Sequence, residues 1–335
     1  MTELSIALQS DKSIFEYSKL AKLIEGYQFD RISVYNDLLY QPAWPALFEI
    51  ARVTNTIKLG PAAVNPFTSH PINIAGNIAL LDELSGGRAY LGMARGSWLD
   101  FLGIEPEKPL TALQEAFAAI EHLLFQRNDP KAGQVFPLAG GDSLRWDIQR
   151  PAIPKLLGSW GLKTLGRCYP FIDEVKLGGS ANPDMARWYL RQADRIRSQL
   201  ETDKIINLVM GAVSVVDQDS DTASLLARQE LALYFPVVAR LDPTVRLNKT
   251  LQEEIQEAAN KFDYDTIAEA IPSNLMTKFA FVGTPEEIVE QCQDLINAGV
   301  SCIEFGTPHG IQSREGLALL GEQVLPELKS FMKTR

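Results

Sequence analysis

The stretch IKLGPAAVNPFTSHPINIAGNIALLDELSGGRAYLGMA, residues 57–94, contains the pattern that decides the fold. Two apolar runs, at residues 57–64 and 88–94, flank a helical pattern that begins at Pro71 and ends at the glycine pair 86–87. Proline is tolerated in the first turn of a helix, and glycine is common just beyond its end. The stretch therefore predicts a strand, a helix and a second strand, which is the repeating unit of a parallel α/β fold.

The same unit recurs along the whole chain, because short apolar runs alternate with longer helical patterns. The predicted strands are residues 4–8, 31–35, 57–64, 88–94, 153–158, 172–178, 205–216 and 301–306. Five predicted helices have both ends defined: residues 14–26, 43–54, 71–86, 110–125 and 314–332. Three more are defined by their starts, at the segment GLKTLGRC, near Pro183 and after the N-cap Thr284, and a longer helical region covers 220–270. Eight strand–helix units in order predict a (β/α)8 TIM barrel, of the α/β class, rather than an open doubly wound sheet.

We expect residues 1–335 to form a single TIM-barrel domain with two insertions. Residues 127–152 are polar and rich in glycine, which predicts a loop or hairpin, and residues 236–275 predict added helices after strand seven. Both insertions are expected at the end of the barrel where the strands finish. Barrel enzymes place their active sites at that end.

Composition and charge argue against several classes of protein. A net charge of −10, spread along the chain, does not favour binding of DNA or RNA. No apolar stretch reaches the roughly 18 residues of a membrane span, and no secretory signal pattern opens the chain, so a cytoplasmic protein that does not enter the membrane is expected. The three cysteines contain no CxxC pair, which argues against a zinc site or a disulfide framework.

Several polar residues lie just after predicted strands, where a barrel places its functional groups. Gln9 follows strand one, Asn36 and Asp37 follow strand two, and Ser97 and Asp100 follow strand four. An amide beside a carboxylate suits substrate contact and proton transfer, although an Asx residue after a strand can equally cap a turn or a helix.

Two glycine-rich segments, GSWGLKT (158–164) and GGSANP (178–183), follow strands five and six and open helices. Each is expected to present free backbone N–H groups at a helix start, where a phosphate or a carboxylate binds favourably. The alternative for each is a tight turn with an N-cap. The first segment lacks the GK[ST] ending of a P-loop, and no GxGxxG follows a strand. The candidate anion contacts are Gly158, Ser159, Trp160, Gly161, Lys163, Gly178, Gly179 and Ser180.

The three histidines form no metal-binding motif, so no metal site is predicted. His70 precedes a helix, which favours a structural role, and His122 lies in the middle of a helix. His309, after strand eight, could contact a ligand or bond to backbone.

Four segments in order resemble the luciferase-like monooxygenase superfamily. They are LGPAAVNPFTSHPINIAGNIALLDELSGGRAYLGMARGS (59–97), KLLGSWGLKTLG (155–166), EVKLGGSANP (174–183) and FVGTPEEIVEQCQDLINAGV (281–300). Within it they are most similar to the branch that uses the deazaflavin coenzyme F420, which includes methylenetetrahydromethanopterin reductase. The resemblance covers residues 4–330 and implies a bacterial luciferase-like barrel, a homodimer, and hydride transfer between reduced F420 and a small organic acceptor.

The resemblance also implies site residues. Deazaflavin members have a non-prolyl cis peptide in a bulge after strand three, behind the coenzyme ring, and the matching bond is Ala62–Ala63. Asn65 matches a position that bonds the polar edge of the ring, and Asn36 and Asp37 match polar ring and substrate contacts. The two glycine-rich segments match the phosphate contacts.

Two positions depart from the methanopterin reductases. Gln9 stands where those enzymes carry a glutamate, and Ser97 stands where the family carries a carboxylate. Asp37 is then the remaining candidate acid, although hydride transfer to an activated imine or enone needs little acid help.

Two alternatives stay open. The first is an FMN-dependent monooxygenase, because the glycine-rich segments suit either coenzyme and Lys163, Arg167 and Lys176 could meet a free phosphate. The second is a non-catalytic flavin-binding protein, which the neutral residues at positions 9 and 97 would permit.

Overall fold

The protein is described by a computed structural model over residues 1–334. The chain forms two compact units. The first unit comprises Ala7–Lys176 and Ile196–Asn207, and the second comprises Met1–Ile6, Leu177–Arg195 and the chain from Leu208 onward.

Strands and helices alternate through most of the chain, as the hydrophobic pattern predicts. In chain order the elements are β1 (Glu3–Leu8), α1 (Ile14–Gly26), β2 (Arg31–Val34), α2 (Ala43–Val53), β3 (Lys58–Pro61), α3 (Pro71–Ser85), β4 (Leu91–Ala94), α4 (Pro109–Leu124), β5 (Lys155–Gly158), α5 (Leu162–Cys168), β6 (Glu174–Gly178), α6 (Pro183–Gln199), β7 (Asn207–Val216), α7 (Ser220–Ala232), α8 (Phe235–Leu241), α9 (Lys249–Asn260), α10 (Tyr264–Ala270), α11 (Ser273–Phe279), β8 (Ala280–Gly283), α12 (Pro285–Asn297), β9 (Cys302–His309), α13 (Ser313–Leu319) and α14 (Leu325–Lys333).

The strand order in the sheet is β3-β2-β1-β9-β7-β6-β5-β4, and β8 pairs with β7 outside this path. Isolated parallel bridges join Leu59 to Ala89 and Val64 to Met93, and so connect the regions of β3 and β4 that end the path. Eight parallel strands with alternating helices confirm the predicted (β/α)8 barrel with a bacterial luciferase-like fold.

Polar side chains occupy the interior of the first unit. Arg31 of β2 donates from two guanidinium nitrogens to the two carboxylate oxygens of Glu174 on β6, each at 2.6 Å, and both residues are buried. The Arg31 guanidinium also lies 5.3 Å from the ring centre of Tyr90, whose hydroxyl is 2.6 Å from that of Ser33. A buried charge pair with bidentate geometry is therefore part of this core.

The second unit is organised by the long strand β7. Residues 209–213 of β7 pair with β9, and residues 213–216 pair with β8. On its other side β9 pairs with β1, with Glu3 opposite Cys302. Phe281 and Phe305 meet edge to face in this core, with ring centres 5.1 Å apart.

Some predicted boundaries were wrong. The strand Ala280–Gly283 was not predicted, because a run of four residues between two helices is too short to show a hydrophobic period. The helical region predicted over 220–270 consists of four shorter helices, α7 to α10, which are separated near Pro236 and Pro243 and by polar links. The last helix is interrupted by a π-helical turn at Leu320–Val324.

The insertion at 127–152 is a loop with one isolated antiparallel bridge, as predicted, but its expected position was wrong. It joins α4 to β5 and so enters the barrel where a strand begins. Arg150 in this loop donates to the carboxylate of Asp82 and, at 2.7 Å, to the carbonyl of Ala89, just before β4. The insertion at 236–275 contains helices, as predicted.

No helix within residues 1–334 has the length and apolar character needed to cross a bilayer. All three cysteines are buried, and none of them forms a disulfide within residues 1–334. Organisation as a single domain stays a prediction.

Candidate functional site

Gln9 and Asp37, the two candidate catalytic residues, meet after strands β1 and β2. Gln9 Nε2 donates to Asp37 Oδ2 at 3.1 Å, and both side chains are half-buried. Gln9 Oε1 accepts from the backbone N–H of Ser10 at 2.9 Å, which fixes the amide so that its NH2 group faces the carboxylate. No donor in residues 1–334 reaches the second oxygen of Asp37, so that oxygen can accept a hydrogen bond from a ligand.

Asn36, beside Asp37, has a structural contact. Its side-chain oxygen accepts from the backbone N–H of Ala43 at 3.0 Å, at the start of α2. The N-cap residue of α2 is Pro42, whose side chain cannot accept a hydrogen bond, so the Asn36 side chain accepts one from the first turn of the helix instead. Its amide NH2 group is left for a ligand contact.

The peptide bond Ala62–Ala63 is cis, which confirms the prediction for the segment after β3. Both alanines are half-buried. The segment is held against β4, since Val64 donates to the carbonyl of Gly92 at 3.1 Å and accepts from Ala94 at 2.9 Å. A Cβ at Gly92 would lie 2.1 Å from the carbonyl of Pro61, so only glycine permits this approach.

Asn65 lies two residues beyond the cis bond and is 5% exposed. Its Oδ1 accepts from the backbone N–H groups of Phe67 and Thr68, at 3.0 and 2.9 Å, and from the Thr68 hydroxyl at 3.1 Å. Nδ2 has no acceptor among the described residues. A buried amide with a saturated oxygen and an open NH2 group is a hydrogen-bond donor ready for a ligand.

Ser97 and Asp100 lie in the loop after β4, and both are exposed. Asp100 is in the first turn of a 3-10 helix, Leu99–Leu102, that closes on Gly103. Neither side chain forms a hydrogen bond with another residue of the described chain. Their contact with a coenzyme stays a prediction.

The segment 158–164 retains free backbone donors. The N–H of Ser159 donates to Lys176 and that of Gly161 to the Ser159 hydroxyl, at 3.2 and 3.1 Å. Helix α5 then begins after Gly161 with no side-chain cap, which leaves the N–H groups of residues 162–164 unpaired in the described part of the chain. Gly158, Ser159 and Trp160 are half-buried, while Gly161 and Lys163 are exposed.

The prediction of free N–H groups in the segment 178–183, which belongs to the second unit, was wrong. The N–H groups of Gly179 and Ser180 both donate to the carbonyl of Gly211, at 2.6 and 3.1 Å, and that of Ala181 donates to Lys278 at 2.9 Å. The N–H of Asn182 donates to the Ser180 hydroxyl. Two of these four N–H groups are bonded to β7 and the other two to residues elsewhere in the second unit, and the spacing of residues in the sequence does not indicate these bonds.

Charged residues near the first segment divide into exposed and buried groups. Lys163 and Arg167 are exposed and form no ion pair within residues 1–334. Lys176 is buried, with its amine 5.5 Å from the ring centre of Tyr35, and so is not placed for an exposed phosphate.

The histidines take structural positions. His70 is the N-cap of α3, and its Nδ1 accepts from the N–H of Ile72 at 3.2 Å, which confirms the structural role. His122 is buried in α4. His309 is fully buried, with Nδ1 3.4 Å from the Ser313 hydroxyl. No group of three potential metal ligands occurs in the part of the chain that the structure describes.

Three further residues hold the candidate side chains in place, and of these Thr68 was not identified from the sequence. Ser10 orients Gln9, Thr68 orients Asn65, and Gly96 packs against the Asn65 amide. The run NPFT at 65–68 does contain a detectable signal, because an Asn followed by Pro and by a Thr three residues later is typical of an Asx-type turn.

The chain is similar to known proteins over most of its length. A sequence model described as luciferase-like monooxygenase matches residues 2–302. The 5,10-methylenetetrahydromethanopterin reductase of Archaeoglobus fulgidus is 30% identical to this chain and is aligned over 95% of this chain and 97% of its own length. The protein of the same name from Methanopyrus kandleri is 27% identical, over 98% of this chain and 100% of its own.

Among solved structures, the coenzyme F420 dependent tetrahydromethanopterin reductase from Methanopyrus kandleri superposes on the chain with a TM-score of 0.86. The alignment covers 98% of this chain and 99% of that one, at 24% identity. This likeness supports the barrel fold.

Proposed function

The chain belongs to the luciferase-like monooxygenase family, and we propose that it is an F420-dependent oxidoreductase that transfers a hydride between reduced F420 and a small organic acceptor. The observation that carries the proposal is similarity over nearly the full length to 5,10-methylenetetrahydromethanopterin reductases. A solved relative of the same fold is named as F420 dependent.

The residues of the first unit fit a coenzyme ring with a polar edge. Asn65 is a buried residue whose NH2 group has no acceptor among the described residues, and Ala62 and Ala63 add little bulk beside it. The bound coenzyme would supply the hydride chemistry, and these residues would bind and orient it. Asn36 would add a second amide donor at the next strand end.

The coenzyme phosphate would lie against the segment 158–164. The free N–H groups at the start of α5 would bind phosphate oxygens, and Lys163 adds a positive charge there. For Gly178, Gly179 and Ser180 the support is the resemblance alone, because the N–H groups of Gly179 and Ser180 donate to Gly211 and Ser180 is fully buried. Ser97 and Asp100 would contact the coenzyme from the exposed loop after β4.

Asp37 and Gln9 would act on the acceptor. The Asp37 oxygen that Gln9 does not occupy can accept a hydrogen bond from an N–H or O–H group of the acceptor, or pass a proton to it. Gln9 carries no titratable proton and so positions Asp37. Because positions 9 and 97 lack the carboxylates of the methanopterin reductases, we infer an acceptor that needs at most one acid.

We further propose a cytoplasmic homodimer. Helix α3 supports association, because Ile72, Leu80 and Leu84 are 41–47% exposed on a helix that is apolar on most of its faces. Sedimentation of the purified protein tests the dimer, and a monomer at micromolar concentration would refute it.

The test of function is an anaerobic titration of the purified protein with F420, oxidised and reduced, and separately with FMN, followed by ligand fluorescence. Saturable binding of F420, with FMN much weaker, is the expected result and would be followed by a screen of imine, enone and pterin acceptors. Tight binding of FMN without F420 would instead favour a monooxygenase, for which the exposed Lys163 and Arg167 near a phosphate are the supporting observation. Binding of F420 without turnover of any acceptor would favour a non-catalytic flavin-binding protein.

A further inference from the structure

The orientation of the Asn65 amide is fixed by the turn that follows it. Two backbone N–H groups and one hydroxyl converge on Oδ1 at 2.9–3.1 Å. A carbonyl oxygen can accept all three bonds, whereas an NH2 group in its place would face the two backbone N–H groups without an acceptor, and only the Thr68 hydroxyl could reverse its bond. The amide therefore cannot rotate by half a turn without losing both backbone bonds, and its open side is the NH2 group.

Gly96, after β4, packs against the same amide. A Cβ built on Gly96 would lie 2.9 Å from Asn65 Nδ2, 3.0 Å from its Cγ and 3.2 Å from its Cβ. Contacts this short force a movement, and the three bonds to Oδ1 prevent the Asn65 side chain from moving freely. Gly96 also has a φ of +89°, which favours glycine. The lack of a side chain at position 96 thus preserves the place of the amide.

We propose that Gly96 and Thr68 are positioning residues that aim Nδ2 of Asn65, as a hydrogen-bond donor only, at an acceptor atom on the coenzyme ring. Neither residue needs to touch the coenzyme. The inference rests on the proposed function, because it takes the ring of F420 as the group that receives the bond. A fixed donor stabilises most the redox form of the ring that carries more negative charge at the contacted atom, so it sets the ratio of the affinities for oxidised and reduced F420.

The first experiment compares Gly96→Ala with the matched control Gly103→Ala. Gly103 lies in the same loop with a φ of +67°, and a Cβ there would meet no atom within 4 Å. Both substitutions therefore carry the cost of a left-handed alanine, but only Gly96→Ala displaces the amide. Weakening of F420 binding by about three- to tenfold is expected for Gly96→Ala, the effect of one lost hydrogen bond, with little change for Gly103→Ala.

The second experiment asks whether Gly96 acts through Asn65. In the Asn65→Ala background the amide is absent, so adding Gly96→Ala should weaken F420 binding no further. A full additional loss in the double variant would mean that Gly96 acts by another route, and it would overturn the proposal.

Thr68 is tested by a pair of substitutions that differ in the hydroxyl. Thr68→Val keeps the shape and removes the donor to Oδ1, and about a two- to threefold loss of F420 affinity is expected, since two backbone donors remain. Thr68→Ser keeps the hydroxyl and should restore wild-type binding. This pair still decides the question if Gly96→Ala does not fold, which thermal unfolding would reveal.

The readout that separates positioning from general damage is the ratio of the dissociation constants for oxidised and reduced F420. Asn65→Ala, Gly96→Ala and Thr68→Val should shift this ratio in the same direction, with Thr68→Val shifting it least. Equal weakening of both redox forms would overturn the inference and leave the proposed function intact. A wild-type protein that binds no F420 would overturn both.

Discussion

Replacing Gln9 by glutamate would place two carboxylates against each other at the mouth of the barrel. Gln9 Nε2 lies 3.1 Å from Asp37 Oδ2, and Gln9→Glu puts a carboxylate oxygen in the position of that nitrogen. Two unit charges at this distance repel by about 1.3 kcal/mol with the dielectric constant of water and by about 5 kcal/mol at an effective constant of 20. Because both side chains are half-buried, the repulsion should fall between these limits.

This repulsion is relieved when the pair holds one shared proton. Since one pKa unit corresponds to about 1.4 kcal/mol, the pair should release that proton roughly 1–4 units above an isolated carboxyl group. The native variant then binds more protons than its unfolded chain over this range. Its free energy of unfolding is therefore highest at low pH, and it falls by about 1–5 kcal/mol as the pH rises and the folded variant loses the shared proton.

The assay is unfolding in guanidinium chloride at pH values from 4 to 8, applied to the wild type, to Gln9→Glu and to the double variant Gln9→Glu with Asp37→Asn. The stability difference between the wild type and the single variant should widen with pH, and in the double variant it should stay constant. If the single variant follows the wild type at every pH, the two side chains are not in contact and the assignment of Asp37 and Gln9 to one site is refuted. A shared proton would also give the variant a new acidic limb in the pH profile of hydride transfer.

Three further predictions test other parts of the structure. Glu174→Gln should lower the free energy of unfolding by about 3–5 kcal/mol, because it removes the carboxylate that is paired with the buried Arg31 guanidinium, whereas replacing both residues by methionine should restore most of the loss in denaturant unfolding. Glu115 accepts three backbone N–H bonds from the loop 127–152, and although burial raises its pKa, these bonds lower the pKa overall. The bonds are therefore present at neutral pH and are lost as the pH falls through the native pKa, so limited proteolysis should cut the loop faster at acidic pH, and at neutral pH in Glu115→Gln. Burial raises the pKa of the Cys168 thiol to about 12, so a thiol reagent at pH 8 should label it only after unfolding, and labelling of the native protein would contradict its placement.

Features that depend on local sequence were predictable. The helix that starts at Pro285 has the predicted N-cap at Thr284, completed by a reciprocal bond with Glu287. The meeting of Gln9 and Asp37, 28 residues apart, follows from the barrel itself, because the ends of neighbouring parallel strands lie side by side. The cis bond at Ala62–Ala63 came from the family resemblance, since nothing in two alanines predicts it.

Features that depend on tertiary register were not predictable. The donors of Gly179 and Ser180 are used by the carbonyl of Gly211 on a different strand, and no spacing in the sequence encodes that pairing. The ion pair between Arg31 and Glu174 joins residues 143 positions apart, and hydrophobic patterning gives only a weak indication of charges inside a barrel.

The pairing of β1 with β9 bears on how the chain is made. Glu3 lies opposite Cys302, so β1 pairs on this side with a strand synthesised about 300 residues later. At about 5–20 residues per second, the nascent chain carries an unpaired strand edge for roughly 15–60 s. Such an edge can pair with other chains, so we expect a nascent chain truncated before Cys302 to aggregate or to require a chaperone.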